Sequence, residues 1–419
     1  MPRSSAVVSS PSRAGLACAA LAALASGVIA CGGAAPAARS VADRAADSAP
    51  AVAALTASRF DDAVAAAGQA LARDPANARA AAVRAIASYV LAGHALIHQL
   101  GDIIEKAERV EFLDHQGGRA AWQGFLTQLE AIDRDLAVAA ADRGFSLELC
   151  LACWERDWNH SGAIDHRDRQ LFEIELDGKG GVLPDGDPRR RPTFRFDTGD
   201  AEWARAMIAF QRAAGELVLA YKWSDLDKLL TAKGPPSLVI RLTDRPRVIR
   251  ARELVLAGLD AADRCRAAYL AETDDDREWV PSPRQRSHPM PLSADAAVYR
   301  TWEGVTGDLR RMLRSEEAIS LRELAKVADD DLGSRVPDGF LDLGRMLAEP
   351  ADIALDFSEL MQRQDAQVFE KILRGVLGRG YQTAMKPTPL VGRLRQMKGE
   401  LERGEDTFER KLRYLLWLN

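Results

Sequence analysis

After about Ala49, apolar residues in this chain return every three or four positions over most of its length. That period fits one face of an α-helix and not the alternating faces of a strand. On this pattern residues 79–110, 118–142, 201–232 and 246–272 read as helices. Residues 294–419 read as four or five more, separated by breaks such as Val336-Pro337-Asp338-Gly339 and Lys386-Pro387-Thr388-Pro389. The expected class is therefore mainly α. A hydrophobic share of 47% suits a chain that buries a core, which excludes disordered and collagen-like classes. Lys and Arg number 56 against 61 Asp and Glu, a formal charge of −5. Phosphate neutralisation needs a basic excess or stripe, so no nucleic-acid partner is expected.

The first thirty residues have a different character. Arg3 and Arg13 give a positive start with no acids, and the run from Ala14 to Ala30 is small and apolar. A charged start followed by a short apolar core is the pattern of an export signal, to be set aside before fold reasoning. It ends in Val28-Ile29-Ala30-Cys31, which resembles the lipobox of bacterial lipoproteins. The resemblance implies cleavage before Cys31, a diacylglycerol thioether on its sulfur and acylation of the new amino terminus. Several acyl chains anchor durably where one alone is marginal. Gly32 after the cysteine is similar to outer-membrane-directed members. The expected location is thus the bacterial envelope, with the lipid bilayer as a partner through Cys31 and the chain facing the periplasm or the cell surface. Residues 31–48, small and polar, read as a flexible tether. No run of about 18 uninterrupted apolar residues follows residue 30.

The next segment, 49–142, contains Arg59-Phe60-Asp61-Asp62-Ala63 and then Ala70-Leu71-Ala72-Arg73-Asp74-Pro75-Ala76-Asn77-Ala78. This resembles the second helix and connecting turn of a tetratricopeptide repeat. Ala63 and Ala70 allow close helix approach, and Asp74-Pro75 stops one helix before the next begins. Only one clear unit is legible, whereas a repeat stack needs about three, so an alanine-rich helical bundle stands as the alternative.

From 143 to 200 the pattern changes. A short helix is expected over 145–156, placing Cys150 and Cys153 on one side at i, i+3. A local disulfide and two buried thiols both satisfy that spacing. Asp177-Gly178, Gly180-Gly181 and Asp185-Gly186 are turn signals, and Thr193-Phe194-Arg195-Phe196 alternates; together they predict one small β-hairpin. The remainder, 201–419, is expected to be a C-terminal helical region.

One stretch carries chemistry: Asp157-Trp158-Asn159-His160-Ser161-Gly162-Ala163-Ile164-Asp165-His166-Arg167-Asp168. A hard cation takes six or more oxygens at about 2.3–2.6 Å, which a short chain supplies by placing oxygen-bearing residues at alternate positions around a turn. The stretch resembles the twelve-residue calcium loop of EF-hand proteins. That resemblance implies ligands from Asp157, Asn159, Ser161, the carbonyl of Ala163, Asp165 and Asp168. It also implies a sharp turn at Gly162 and an inward-packed Ile164. Asp168 stands where the family has glutamate, as in dockerin-like modules. The expected ion is Ca2+ with Mg2+ as competitor, at a dissociation constant on the order of 10⁻⁴ to 10⁻³ M. Arg156 occupies a position where the family carries an apolar residue, and no second loop is present.

Three further features invite roles. His94 and His98 lie at i, i+4 with Asp102 one turn on, a spacing two metal ligands could share. Arg189-Arg190-Arg191 offers an anion contact, and Asp274–Asp276 and Asp329–Asp331 are acidic runs. No nucleophile elbow, P-loop or dinucleotide glycine motif occurs. The expected function is a non-enzymatic, calcium-binding envelope lipoprotein that serves structure or protein contacts. The alternative is a metal- or Cys-dependent hydrolase-type enzyme whose site is assembled from distant residues.

Overall fold

A computed structural model describes residues 40–110, 113–158, 161–177, 181–227, 237–273, 277–286, 288–290, 295–328, 333, 335–359 and 365–401. The export signal, Cys31, Asn159 and both acidic runs (274–276 and 329–331) lie outside the described residues. The chain divides into two units, Met1–Asp43 and Arg44–Asn419. In the first, Ser40 and Asp43 form a reciprocal cap: the Asp43 carboxylate accepts from the Ser40 hydroxyl at 2.7 Å, and the Ser40 hydroxyl accepts from the Asp43 amide at 3.1 Å. That cap starts α1 (Val41–Thr56), so the segment expected to be a flexible tether is already helical from Val41.

The class is mainly α, with small antiparallel strand pairs. α2 (Phe60–Arg73) packs on α3 (Ala78–Val110), α3 on α4 (His115–Ala141), and α4 on α6 (Thr198–Ala220), which runs along α7 (Arg245–Ala271). Ala63, Ala67 and Ala70 are fully buried between the first helices, as close approach requires. The Asp74-Pro75 break works as the sequence suggests. Asp74 closes α2 with its amide on the Ala70 carbonyl, and Asn77 opens α3 by accepting from the Ala80 amide at 3.0 Å. The α6–α7 contact is tightest at Gly258, where an added methyl would stand 2.5 Å from the Phe210 ring.

Three expectations about elements are corrected. Residues 145–156 are not a helix: β1 (Leu147–Leu149) leads into a single 3₁₀ turn at Leu151–Cys153. The reason is pairing, since β1 takes β2 (Phe194–Phe196) as its antiparallel partner, Leu147 opposite Phe196. The alternating stretch around Phe194 thus joins a distant strand. The local hairpin is smaller, an antiparallel bridge of Leu176 with Val182 closed by the Leu183 amide on the Glu175 carbonyl at 2.7 Å. The helix expected to reach 232 ends at Ala220. Tyr221 leaves to bridge Leu242, and Arg119 of α4 caps the end by donating to the carbonyls of Leu219 and Tyr221 at 2.7 and 3.0 Å.

The C-terminal region holds α8 (Ala296–Leu313), α9 (Leu321–Ala328), α10 (Leu343–Ala348), α11 (Ala366–Leu377) and α12 (Leu390–Leu401). It also holds strands that the helical period does not show. β3 (Ser237–Ile240) pairs with β6 (Ile353–Asp356), and β4 (Ile319–Ser320), β5 (Phe340–Leu341) and β7 (Tyr381–Gln382) form a three-stranded sheet. α3 carries one further surprise. Its stretch Ala78–Lys106 reaches a mean hydropathy of 1.5 and is long and apolar enough to cross a membrane, with 33% of that window buried. Its first half is core, whereas Ile97 and Ile104 beyond it are exposed.

Candidate functional site

The 157–168 segment begins where the 3₁₀ turn ends and finishes in α5 (His166–Gln170). Its turn is set by Gly162, whose φ of 89° lies in the left-handed region that residues with a Cβ reach at a cost. The Asp157 carboxylate sits inside this turn, accepting from the amides of Ser161 at 3.0 Å and Gly162 at 2.7 Å. Asp168 reaches back across the segment: its carboxylate accepts from the Trp158 amide at 2.7 Å and from the Asp165 amide at 2.9 Å. Asp165 in turn accepts from the Asp168 amide at 3.3 Å. The Asp165–Asp168 exchange is a capping box that starts α5, and the Trp158 bond closes the loop on itself. Asp168 is 3% exposed, so this closure is buried.

The structure brings Asp157, Ser161, Ala163, Asp165 and Asp168 into one closed turn. The Ser161 hydroxyl donates to the Ala163 carbonyl at 2.9 Å. That separation is the ordinary length of a hydroxyl-to-carbonyl hydrogen bond. A carboxylate has about four lone-pair sites, and the Asp157 carboxylate spends two of them on the Ser161 and Gly162 amides. Among the described residues, no three His, Cys, Asp or Glu side chains are gathered as a metal-holding group. Asn159 lies outside the described residues. Ile164 does not pin the loop from within as expected; it is 40% exposed.

What holds the loop is aromatic. Trp158 packs edge-on to Phe60 of α2 and to Phe172 after α5, with ring centroids 6.2 and 5.3 Å away. Trp154 meets the same two rings at 5.3 and 5.9 Å. Arg156 lays its guanidinium over Phe60 and Trp158, 5.4 and 5.8 Å from the centroids. The charged residue thus fills an apolar position by stacking, and burial pulls its pKa down. The Glu155 amide donates to the Ser58 hydroxyl at 2.8 Å, tying the loop's approach to the α1–α2 turn. Sequence reading missed this box because Phe60 lies almost a hundred residues from Trp154 and Trp158.

The other candidates resolve into structure. Cys150 and Cys153 form a disulfide, deciding between the two alternatives, while Cys265 is a buried free thiol whose pKa is pushed up by burial and then by Asp200. That suppresses the thiolate a nucleophile needs. His98 Nδ1 lies 3.4 Å from an Asp102 oxygen on an exposed face. Arg189 pairs with Asp187 at 2.7 Å, and Arg191 with Glu173 at 2.8 Å. Arg190 is buried between Glu173, 3.0 Å away, and Asp185. The arginine run therefore clamps the chain that follows the loop. Compared with known proteins, the chain matches no family model, no curated protein and no solved structure.

Proposed function

We propose that the protein is a lipid-anchored envelope protein in which the 157–168 loop binds Ca2+, with Mg2+ as competitor, and thereby fixes the joint between the N-terminal helices and the chain beyond. The observation that carries the reading is the closure of the loop. Asp168, buried, hydrogen-bonds the second residue of the stretch while Gly162 turns the middle at positive φ. Ligands would come from Asp157, Ser161, the Ala163 carbonyl, Asp165 and Asp168, with Asn159 as the sequence suggests. The ion would supply positive charge to a turn that otherwise holds three carboxylates. An ion bound only by the folded loop stabilises that fold, and the Trp154, Trp158, Phe60 and Phe172 box passes the gain to α2. The role is structural, in support of a protein partner.

Terbium tests the loop. Trp158 lies in it, so excitation of tryptophan is expected to sensitise a bound Tb3+, and Ca2+ should displace the signal. Asp157→Ala should weaken binding at least about tenfold, because it removes a charged ligand and the acceptor that shapes the turn. A signal that ignores Ca2+, or one unchanged in Asp157→Ala, overturns the reading. The anchor is tested separately in bacterial cells fed an alkyne-bearing palmitate. The wild-type chain should take up label and sediment with membranes, and Cys31→Ala should do neither. Label retained in Cys31→Ala removes the lipoprotein assignment.

A further inference from the structure

The exposed half of α3 overhangs a cleft of about 550 Å³ that the calcium reading does not use. Leu100, Ile103 and Ile104 of α3 line it together with Trp122 of α4, Val218 of α6 and Trp223. This volume lies within the range of small-ligand sites, which are apolar with a few placed polar groups. Ile104 is 56% exposed although it borders the cleft, so an apolar ligand would cover surface that the fold leaves in water.

The polar groups at this cleft are mostly basic. His115, Arg119 and Lys222 line it, and among the described lining residues the one acid, Asp114, is engaged as the N-cap of α4 through the Gly117 amide at 2.8 Å. Their acidic partners lie outside the lining. Asp227 holds His115 Nε2 at 2.8 and 2.9 Å, and Asp225 stands 3.6 Å from the Lys222 ammonium. Arg119 rests on the carbonyl end of α6. An oxyanion at this rim would meet the Lys222 ammonium and the His115 ring, both held in place by their acidic partners, while an alkyl chain would lie against the tryptophans and α3.

We infer that this cleft binds a single-chain anionic amphiphile, an alkyl chain ending in a carboxylate or phosphate, with the chain against Ile104, Trp122 and Trp223 and the anion at Lys222 and His115. The ligand could arrive free in solution or as a lipid within a bilayer, and the two sources share this chemistry. The inference is independent of the calcium loop.

The probe is 11-bromoundecanoate, whose bromine quenches tryptophan on contact. Titration of the full chain should give saturable quenching below about 1 mM. Trp122→Phe and Trp223→Phe should each reduce its amplitude. Ile104→Glu, at an exposed helix position, should weaken binding about tenfold by placing a like charge beside the chain. Lys222→Gln should weaken the carboxylate several-fold and leave neutral 11-bromoundecanol unchanged. Helical circular dichroism of each variant reports folding. Quenching that never saturates, undiminished binding in Ile104→Glu, or equal affinity for the alcohol in the wild-type chain overturns the inference. Phosphatidylglycerol vesicles form a second arm: binding to vesicles with no binding of the free amphiphile also overturns the cleft as a ligand site, and competition between the two supports it.

Discussion

Replacing Asp200 by leucine is expected to lower folding stability by about 3 kcal/mol, whereas Asp200→Asn should cost less than about 1 kcal/mol. Asp200 sits in the first turn of α6, and its two oxygens accept from the Tyr269 hydroxyl at 2.7 Å and the Asp197 amide at 2.8 Å, both buried. Leucine leaves those donors without an acceptor in the core, where water cannot replace it. Asparagine keeps an acceptor for the Asp197 amide. Its amide group can donate to the Tyr269 oxygen, so that pair keeps a hydrogen bond. Urea unfolding followed by tryptophan fluorescence measures both; equal losses for the two variants would contradict this account.

The same residue sets a pH dependence. Burial, and then the neighbouring Asp197 carboxylate, pushes the Asp200 carboxyl well above the usual range, against the opposing pull of the Tyr269 hydrogen bond. The folded chain therefore keeps this proton at pH values where an unfolded aspartate, near pKa 3.9, has lost it. Unfolding releases the proton. The contribution is complete below about pH 4 and falls as pH rises toward the folded-state value, by up to about 1.4 kcal/mol per pH unit. Asp200→Asn should remove that fall, so the gap between variant and parent narrows or reverses from acid to neutral pH. Parallel stability profiles would show that Asp200 ionises freely in the fold.

The second large effect is expected at Glu173. Its carboxylate bridges Arg190 and Arg191 at 3.0 and 2.8 Å, and the Arg190 side chain is buried. Glu173→Ala leaves the buried Arg190 with only Asp185 and Glu175 to compensate it and should cost about 3 kcal/mol, because a buried charge stripped of a partner is strongly unfavourable. Glu173→Leu combined with Arg190→Leu should recover most of that loss, since an apolar pair of similar size removes the charge altogether. The backbone here is held as well, with the Ile174 amide on the Arg190 carbonyl at 2.9 Å. A double variant no better than Glu173→Ala would mean that the segment depends on the ion pair for its geometry.

The amino-acid order alone determined the mainly α class and most of the long helices, with local breaks such as Asp74-Pro75. Both are short-range matters: an apolar stripe repeats within four residues, and Asp74-Pro75 or Asn77 acts on amides two or three positions away. The same locality made the 157–168 turn legible, because Gly162, Asp157 and Asp165 act on their own neighbours. Tertiary structure decided the rest. A strand three residues long, such as Leu147–Leu149, has too few positions to show a period and exists because Phe194–Phe196 lies beside it. Ile164 faces water, and the apolar hold on the loop comes instead from Trp154, Trp158, Phe60 and Phe172. The fate of Asp200 and the basic rim at His115 each depend on partners brought together from distant parts of the chain, Tyr269 and Asp227. Burial and charge pairing are properties of that juxtaposition, and no local window of sequence contains them.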